Sequence, residues 1–466
     1  MDIRRSVAII GAGPVGTLAA LYFANEGWDV SLYDLRQDPR LDKHGNDGRS
    51  STGKSINLAL SHRGIEGLRG ASPQLAELIV SNVVPVYGRM IHDTRGRQQS
   101  QLYDVHGDHI NAVDRGWLNN ILIDQAEKRE NISLKFQYRL LQCDFDARTA
   151  LFHTPSGEIE VKADLVVGAD GAHSAVRRQL MRAARVDFEQ KYIDTLWCEI
   201  SIPPKVGADG KDEYPLDPNH LHIWPRKTFM LMSLANIGDD KSFTGTLFMS
   251  PSQFEDLTYP TDVTELFQAN FPDVIPLVGE KNLQHQVFNN PKGSLVSVKC
   301  NPYHYSDRCV LIGDAAHAMV PFYGQGMNCG FEDVQQLFYC LKSSNSVASG
   351  LSAYTKTRRS DLFAISDLAM ANYIEMRSSV TSRTYLARKH AEEFLYKYFP
   401  RLGIRTLYHM VSFTSIPYHV ALRTSKRQAR MFRGTAIGVG LGVISIAAYG
   451  LLKFRRVWQT WLPHSQ

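Results

Sequence analysis

No two of the six cysteines, Cys143, Cys198, Cys300, Cys309, Cys329 and Cys340, stand in a CxxC pair. That absence excludes a dithiol redox centre and the thiolate pairs of a structural zinc site, and no metal site is expected. Cysteines scattered in this way suit a reducing compartment, where most are small buried apolar residues. No apolar stretch of signal type follows Arg4 and Arg5, so no secretory leader is expected. Basic residues are not gathered into one arm, and the net charge of +5 is spread along 466 residues. A nucleic-acid partner is therefore not expected, because it would call for a concentrated basic patch. Internal repeats and long low-complexity tracts are also missing. What remains is an ordinary globular composition, 44% apolar and 21% charged, long enough for two or three domains.

Val7 to Ile10 reads as a short buried strand, followed by a Gly-rich turn and a helix pattern from Pro14 to Glu26 that Gly27 closes. Val30 to Asp34 is a second strand, which completes a βαβ unit. Leu165 to Gly168 and Arg308 to Gly313 repeat the parallel-strand pattern further along. Between Tyr192 and Val298 the segments become short and extended, with Asp209-Gly210 as a turn signal, and predict a mixed sheet able to cover a ligand. From Asn328 to Arg433 the pattern is mostly helical. Gly434 to Leu452 carries no charge and is flanked by basic residues on both sides. As a helix it would be about 28 Å long, close to the thickness of a bilayer core.

Gly11-Ala12-Gly13-Pro14-Val15-Gly16 sits between a strand and a helix, where G-x-G-x-x-G binds a dinucleotide. Gly11 permits the turn, Gly13 admits a pyrophosphate and Gly16 lets the helix pack on the sheet, while Asp34 is placed to accept from a ribose. Two further motifs separate FAD from NAD. Asp164 to Ser174 ends a strand in Asp170-Gly171, and Leu311 to His317 runs into Pro321-Phe322-Tyr323-Gly324-Gln325-Gly326-Met327-Asn328. An acid at a strand end can hold a ribityl hydroxyl, and a Gly-rich turn opening a helix can present N–H groups to a flavin ring. The run Gly48 to Ser55 matches a P-loop in letters only, since neither a buried strand nor a helix flanks it.

These motifs resemble the single-Rossmann flavoprotein hydroxylases, and most closely their kynurenine-hydroxylating branch, from Val7 to Tyr418. Ser55 to Ser61, Arg89-Met90-Ile91-His92, His222-Ile223-Trp224-Pro225-Arg226, Gly313 to Asn328 and Asn372 to Arg377 carry the likeness. The resemblance implies that FAD is held by Gly11, Gly13, Val15, Gly16, Tyr33, Asp34, Leu35, Arg36, Ala59, Arg115, Leu140, Asp170, Ala175, Asp314, Met327 and Asn328. It implies substrate contacts from Arg89, Tyr103, Asn372 and Tyr408. Phe322, with Tyr323 beside it, suits a ring pocket. The activity implied is hydroxylation of L-kynurenine to 3-hydroxykynurenine, within tryptophan degradation and NAD synthesis. NADPH reduces the FAD, dioxygen adds to form a flavin hydroperoxide, and no protein side chain is expected to act as a catalytic group.

The fold expected is α/β. A Rossmann-type FAD-binding domain (1–191, with substrate-domain strands near 80–105, returning at 301–345) surrounds an inserted mixed β-sheet substrate domain (192–300). A C-terminal helical region (346–433) and one transmembrane helix (434–452) follow. The last segment resembles that family's mitochondrial outer-membrane anchor, with the catalytic part facing the cytosol; protein partners are unknown. Two alternatives stand beside this reading: a flavin hydroxylase of another aromatic or quinone precursor, and a membrane-tethered FAD-binding protein without turnover. A halogenase is set aside because Trp-x-Trp is missing.

Overall fold

The computed structural model describes residues 4–41, 57–238, 241–378, 392, 394–399 and 403–432. Short runs, most of them largely apolar, form a six-stranded sheet in the order His304–Tyr305, Cys309–Leu311, Leu165–Gly168, Ser6–Ile10, Asp29–Asp34, Ile132–Phe136. All neighbours are parallel except the first pair. Strands buried on both faces read as continuous apolar runs rather than alternations, which is why Leu165–Gly168 and Cys309–Leu311 are buried at every position. The carboxyl ends of four of these strands carry the Gly11 turn, Asp34, the Asp170 turn and the Gly313-Asp314 turn. Ligands of open parallel sheets bind at that edge.

A seven-stranded sheet lies beside it, in the order Lys292–Asn301, Asp187–Ile202, Phe243–Met249, Phe229–Ala235, His220–Arg226, Gly88–His92, Gln98–Leu102. Here the side chains alternate. Leu221, Ile223, Met230 and Phe248 face the main core, while Trp224, Leu231, Phe243 and Leu247 face a second core under the helices Pro260–Asn270 and Glu280–Asn289. Alternation at a period of two is what a sheet covered on both sides by different layers requires. Asp187–Ile202 begins before the extended region expected from Tyr192, and a bulge between Tyr192 and Leu196 interrupts its pairing with Lys292–Asn301.

Charged residues tie the helices together from inside. Arg358, on the helix Val347–Ser378, donates to Glu332 at 3.0 Å and to Asp333 at 2.9 Å. Arg63 also pairs with Glu332 and lies 4.0 Å over the Tyr418 ring. Asp333 in turn accepts from the Gly313 N–H at 3.0 Å and pairs with His317. Two guanidinium groups thus meet two carboxylates among buried residues, and the nucleotide turn at Gly313 shares the network.

The expected transmembrane helix needs correction. Among the described residues no helix is long and apolar enough to cross a membrane. The longest helix, Val347–Ser378, has 32 residues but carries Lys356, Arg358, Arg359, Asp361 and Asp367 near its middle, a charge density that a bilayer core does not accept. The stretch 434–452 lies outside the described residues, as does the P-loop-like run at 48–55.

Removing one member of a buried ion network leaves its partners charged and dry, at a cost of about 3–5 kcal/mol. Arg358→Leu is therefore expected to lower the denaturation midpoint of the purified protein markedly. A variant as stable as the parent would mean that Glu332 and Asp333 do not depend on this guanidinium.

Candidate active site

Gly11 has φ +108°, and a Cβ there would overlap the Ala169 carbonyl oxygen; a Cβ on Gly16 would overlap the Gly11 carbonyl. Both glycines are therefore dictated by backbone packing. Gly13 differs, because nothing lies within 4 Å of where its Cβ would stand, and it opens onto a cavity. Gly13 also caps the helix Pro14–Asn25 without any side-chain hydrogen bond. The first N–H groups of that helix are left to a ligand, as a pyrophosphate requires.

Asp34 is buried, and its oxygens accept from the Ala12 N–H at 2.9 Å and the Arg36 N–H at 2.9 Å. The Arg36 guanidinium spans both oxygens at 3.0 and 2.9 Å but is 63% exposed. A ribose would share Asp34 with this exposed arginine. Tyr33 turns inward and stacks on Phe152 at 4.3 Å; it meets the Gly11 turn through its carbonyl oxygen at 2.7 Å. Leu140 is buried opposite Phe152 rather than on the cavity wall, and Leu35 is exposed. Asp170 accepts from the first N–H groups of the helix Ala175–Ala183, Ala175 N at 2.6 Å and Val176 N at 3.1 Å, while Ser174 caps it. Burial pushes its carboxyl upward against the pull of those bonds.

The cavity, about 300 Å³, brings Gly13 and Val15 together with Ala59, Arg115, Asp314, Phe322 and Met327 from distant parts of the chain. Asn328 stands just behind its wall. Its amide donates to Ala59 O at 2.6 Å and Gly324 O at 2.8 Å, and its oxygen accepts from Ser61 N at 2.8 Å. That side chain staples the left-handed Gly324 turn to the strand Leu58–Leu60. The helix Gly326–Lys342 starts there, again with no side-chain cap. Two uncapped helix starts, an open glycine and acids at strand ends form a donor and acceptor set that fits FAD.

Arg89, Tyr103 and Tyr408 form a wall shared with a second cavity of about 270 Å³, which Asn372 and Glu375 also line. Arg89 is buried, points over both phenol rings at 5.7 and 5.4 Å, and pairs with Glu375 at 3.3 Å. Tyr103 and Tyr408 stack at 4.5 Å. Burial raises both phenols, more than Arg89 lowers them, so both keep their protons at neutral pH. Their neighbours lock them in place: the His409 imidazole bonds Asp104 at 3.0 Å and bridges the helix Leu407–Ser412 to the segment after Tyr103. Asn372 donates to the Phe322 carbonyl at 2.6 Å, and Phe322 packs between Tyr373 at 4.4 Å and Phe248 at 4.9 Å.

Sequence reasoning missed Glu375, although it lies within the quoted Asn372 to Arg377 run, and it missed the apolar lining from Trp197, Leu221, Met232 and Leu234. Glu375 lies near one helical turn from Asn372, a spacing that could have flagged it. The lining residues are every second residue of sheet strands and look like any half-buried strand.

One parallel sheet with a Rossmann turn, a second uncapped helix start and an aromatic cavity with a buried cation define a flavoprotein of the single-Rossmann hydroxylase class. Residues 4–367 match the model of the FAD binding domain family. The chain is 44% identical to kynurenine 3-monooxygenase of Saccharomyces cerevisiae, over 97% of this chain and 99% of that one. It is 42% identical to kynurenine 3-monooxygenase of Candida albicans, over 98% of each. Among solved structures, the tetrameric form of 2-methyl-3-hydroxypyridine-5-carboxylic acid oxygenase superposes with TM-score 0.65 at 18% identity, covering 83% of this chain and 96% of that one. The chain belongs to the kynurenine 3-monooxygenase family.

Gly16→Val would force helix and turn apart. The purified variant is expected to lack the visible flavin absorbance of the parent. Retention of one FAD per chain in that variant would contradict the packing role given to Gly16.

Proposed function

We propose that this protein is an FAD-dependent monooxygenase that uses NADPH and dioxygen to hydroxylate L-kynurenine to 3-hydroxykynurenine. The observation that carries the reading is the buried Arg89 over two protonated phenols at the end of the flavin cavity. Kynurenine is an amino acid with an aniline ring. Its carboxylate meets the Arg89 guanidinium and displaces Glu375 from it, while the Tyr103 hydroxyl donates a second charge-assisted bond. Tyr408 closes the same wall, and its phenol is a further donor.

The ring lies against Phe322. Asn372 holds the Phe322 carbonyl and so sets the angle at which that side chain enters the cavity. Leu221, Met232, Leu234 and Met376 complete an apolar lining that keeps water away from the reacting atoms. FAD, when bound, supplies the redox and oxygen-activating chemistry. Gly13 and the start of the helix Pro14–Asn25 would receive its pyrophosphate, Asp34 its ribose and Asp314 its ribityl chain, and the turn at Gly324 to Met327 would offer backbone N–H groups to its ring. One oxygen atom enters the substrate and the other leaves as water, with two electrons drawn from NADPH. The ring's own amino group activates the carbon that is attacked, so the protein's task is alignment.

Arg89→Ala is expected to weaken kynurenine binding by about ten- to a hundredfold, the loss of one charged hydrogen-bonding partner at roughly 1.5–3 kcal/mol. Titration of the oxidised enzyme, followed through the flavin spectrum, measures it. NADPH oxidation that fails to respond to kynurenine in the unaltered enzyme would sink the assignment.

A further inference from the structure

Two motifs of the sequence, Arg89 to His92 and His222 to Arg226, are only partly accounted for by the site. Of their residues the cavity takes Arg89, and from the strand of the second motif it takes only Leu221, just before it. His92, His222 and Trp224 point to the opposite face of the seven-stranded sheet, into the second core. Both histidines are fully buried there. Buried imidazoles need partners on both nitrogens, and these have them. His222 Nε2 meets the Asp217 carbonyl at 2.8 Å, His222 Nδ1 meets His92 Nε2 at 2.9 Å, and His92 Nδ1 meets Asp273 at 2.7 Å. The Trp224 N–H donates to the same Asp273 at 2.9 Å, and its ring stacks on His92 at 4.0 Å.

A carbonyl only accepts, so His222 Nε2 donates to Asp217. With that ring neutral, its Nδ1 accepts from His92 Nε2, and His92 Nδ1 faces the Asp273 carboxylate. Burial pushes the His222 imidazole down to about 4, consistent with a neutral ring, and the bonds from His92 and Trp224 outweigh burial to hold Asp273 below the usual carboxylate range. Arg226 adds bonds to the His92 carbonyl and the Asp93 carbonyl, each at 3.0 Å.

The row crosses the one parallel junction in the sheet, where Gly88–His92 lies along His220–Arg226 with Arg89 opposite Leu221. Beyond Gly88–His92 only the edge strand Gln98–Leu102 remains. A slip of one residue at this junction would turn Arg89 from the cavity to the far face. We propose that His92, His222 and Asp273 are positioning residues for Arg89: from the back of the sheet they pin the register that presents its guanidinium to an anionic amino-acid substrate. This rests on the carboxylate-binding reading given above.

The test compares kynurenine with the amine that lacks its carboxyl group, titrated against the oxidised holoenzyme through the flavin spectrum. The unaltered enzyme is expected to prefer kynurenine by at least about tenfold. Asp273→Ala and, independently, His222→Phe are expected to cut that preference by about tenfold while the amine binds as before. KM for kynurenine should rise with kcat nearly constant and FAD content unchanged. Variants that keep the full preference overturn the positioning role and leave the function standing. Equal weakening of both ligands marks general loosening and also overturns it. An unaltered enzyme with no preference removes the carboxylate reading itself, and this proposal with it. Two variants on different elements are used so that one poorly folded protein does not decide the outcome.

Discussion

A guanidinium cannot be taken out of water alone; it has to find a carboxylate, a ring face or both. Arg89 is the point at which this chain accepts that cost. It sits at the end of an apolar cavity, held by Glu375 and by the faces of Tyr103 and Tyr408. Those partners come from the edge of the cover sheet, from the long helix Val347–Ser378 and from the short helix Leu407–Ser412. Keeping one cation buried therefore requires three separate regions to close together, and the closed arrangement is where we propose the substrate binds. The His409–Asp104 bond is part of the same closure, because it joins the residues next to the two tyrosines.

The flavin side is organised by the opposite requirement, the removal of side chains. Backbone has to approach phosphate closely, and Gly13 leaves that approach open while Gly11 and Gly16 absorb the packing that results. Behind these turns lies the network of Arg63, Glu332, Asp333 and Arg358. Through the Asp333 bond to the Gly313 N–H it fixes the turn that carries Asp314, and through Arg63 it reaches Tyr418. Flavin turn and C-terminal helices are thus parts of one hydrogen-bonded body.

Much of the parallel sheet was legible because its strands are short apolar runs ended by glycine and aspartate, and both signals are local. The nucleotide turn was legible for the same reason. The cover sheet was legible as a class, with strands near 80–105 assigned to it, but not in its pairing: nothing local says that Gly88–His92 lies against His220–Arg226, or that it does so in parallel. Tyr33, Leu140 and Asn328 show the limit residue by residue. Their positions in the chain suggest the cofactor, whereas the structure turns Tyr33 and Leu140 toward Phe152 and uses Asn328 as a staple behind the wall. Side-chain direction in a strand depends on register, and register depends on a partner far away in sequence. The span expected at 434–452 rested on apolar length, flanking basic charge and the family resemblance, and none of these measures where a segment packs.

By itself the sequence determined the chemistry on offer: glycines in a phosphate-binding spacing and acids at strand ends, each a property of a residue and its near neighbours. The arginine and two tyrosines for a carboxylate were singled out only through the family resemblance. Only the tertiary structure decided which of them meet, that Glu375 guards Arg89, that Asn372 acts through Phe322, and that two buried histidines lie behind the binding strand. Those outcomes come from contacts between residues tens to hundreds of positions apart, set by packing of whole layers, and no local pattern records them.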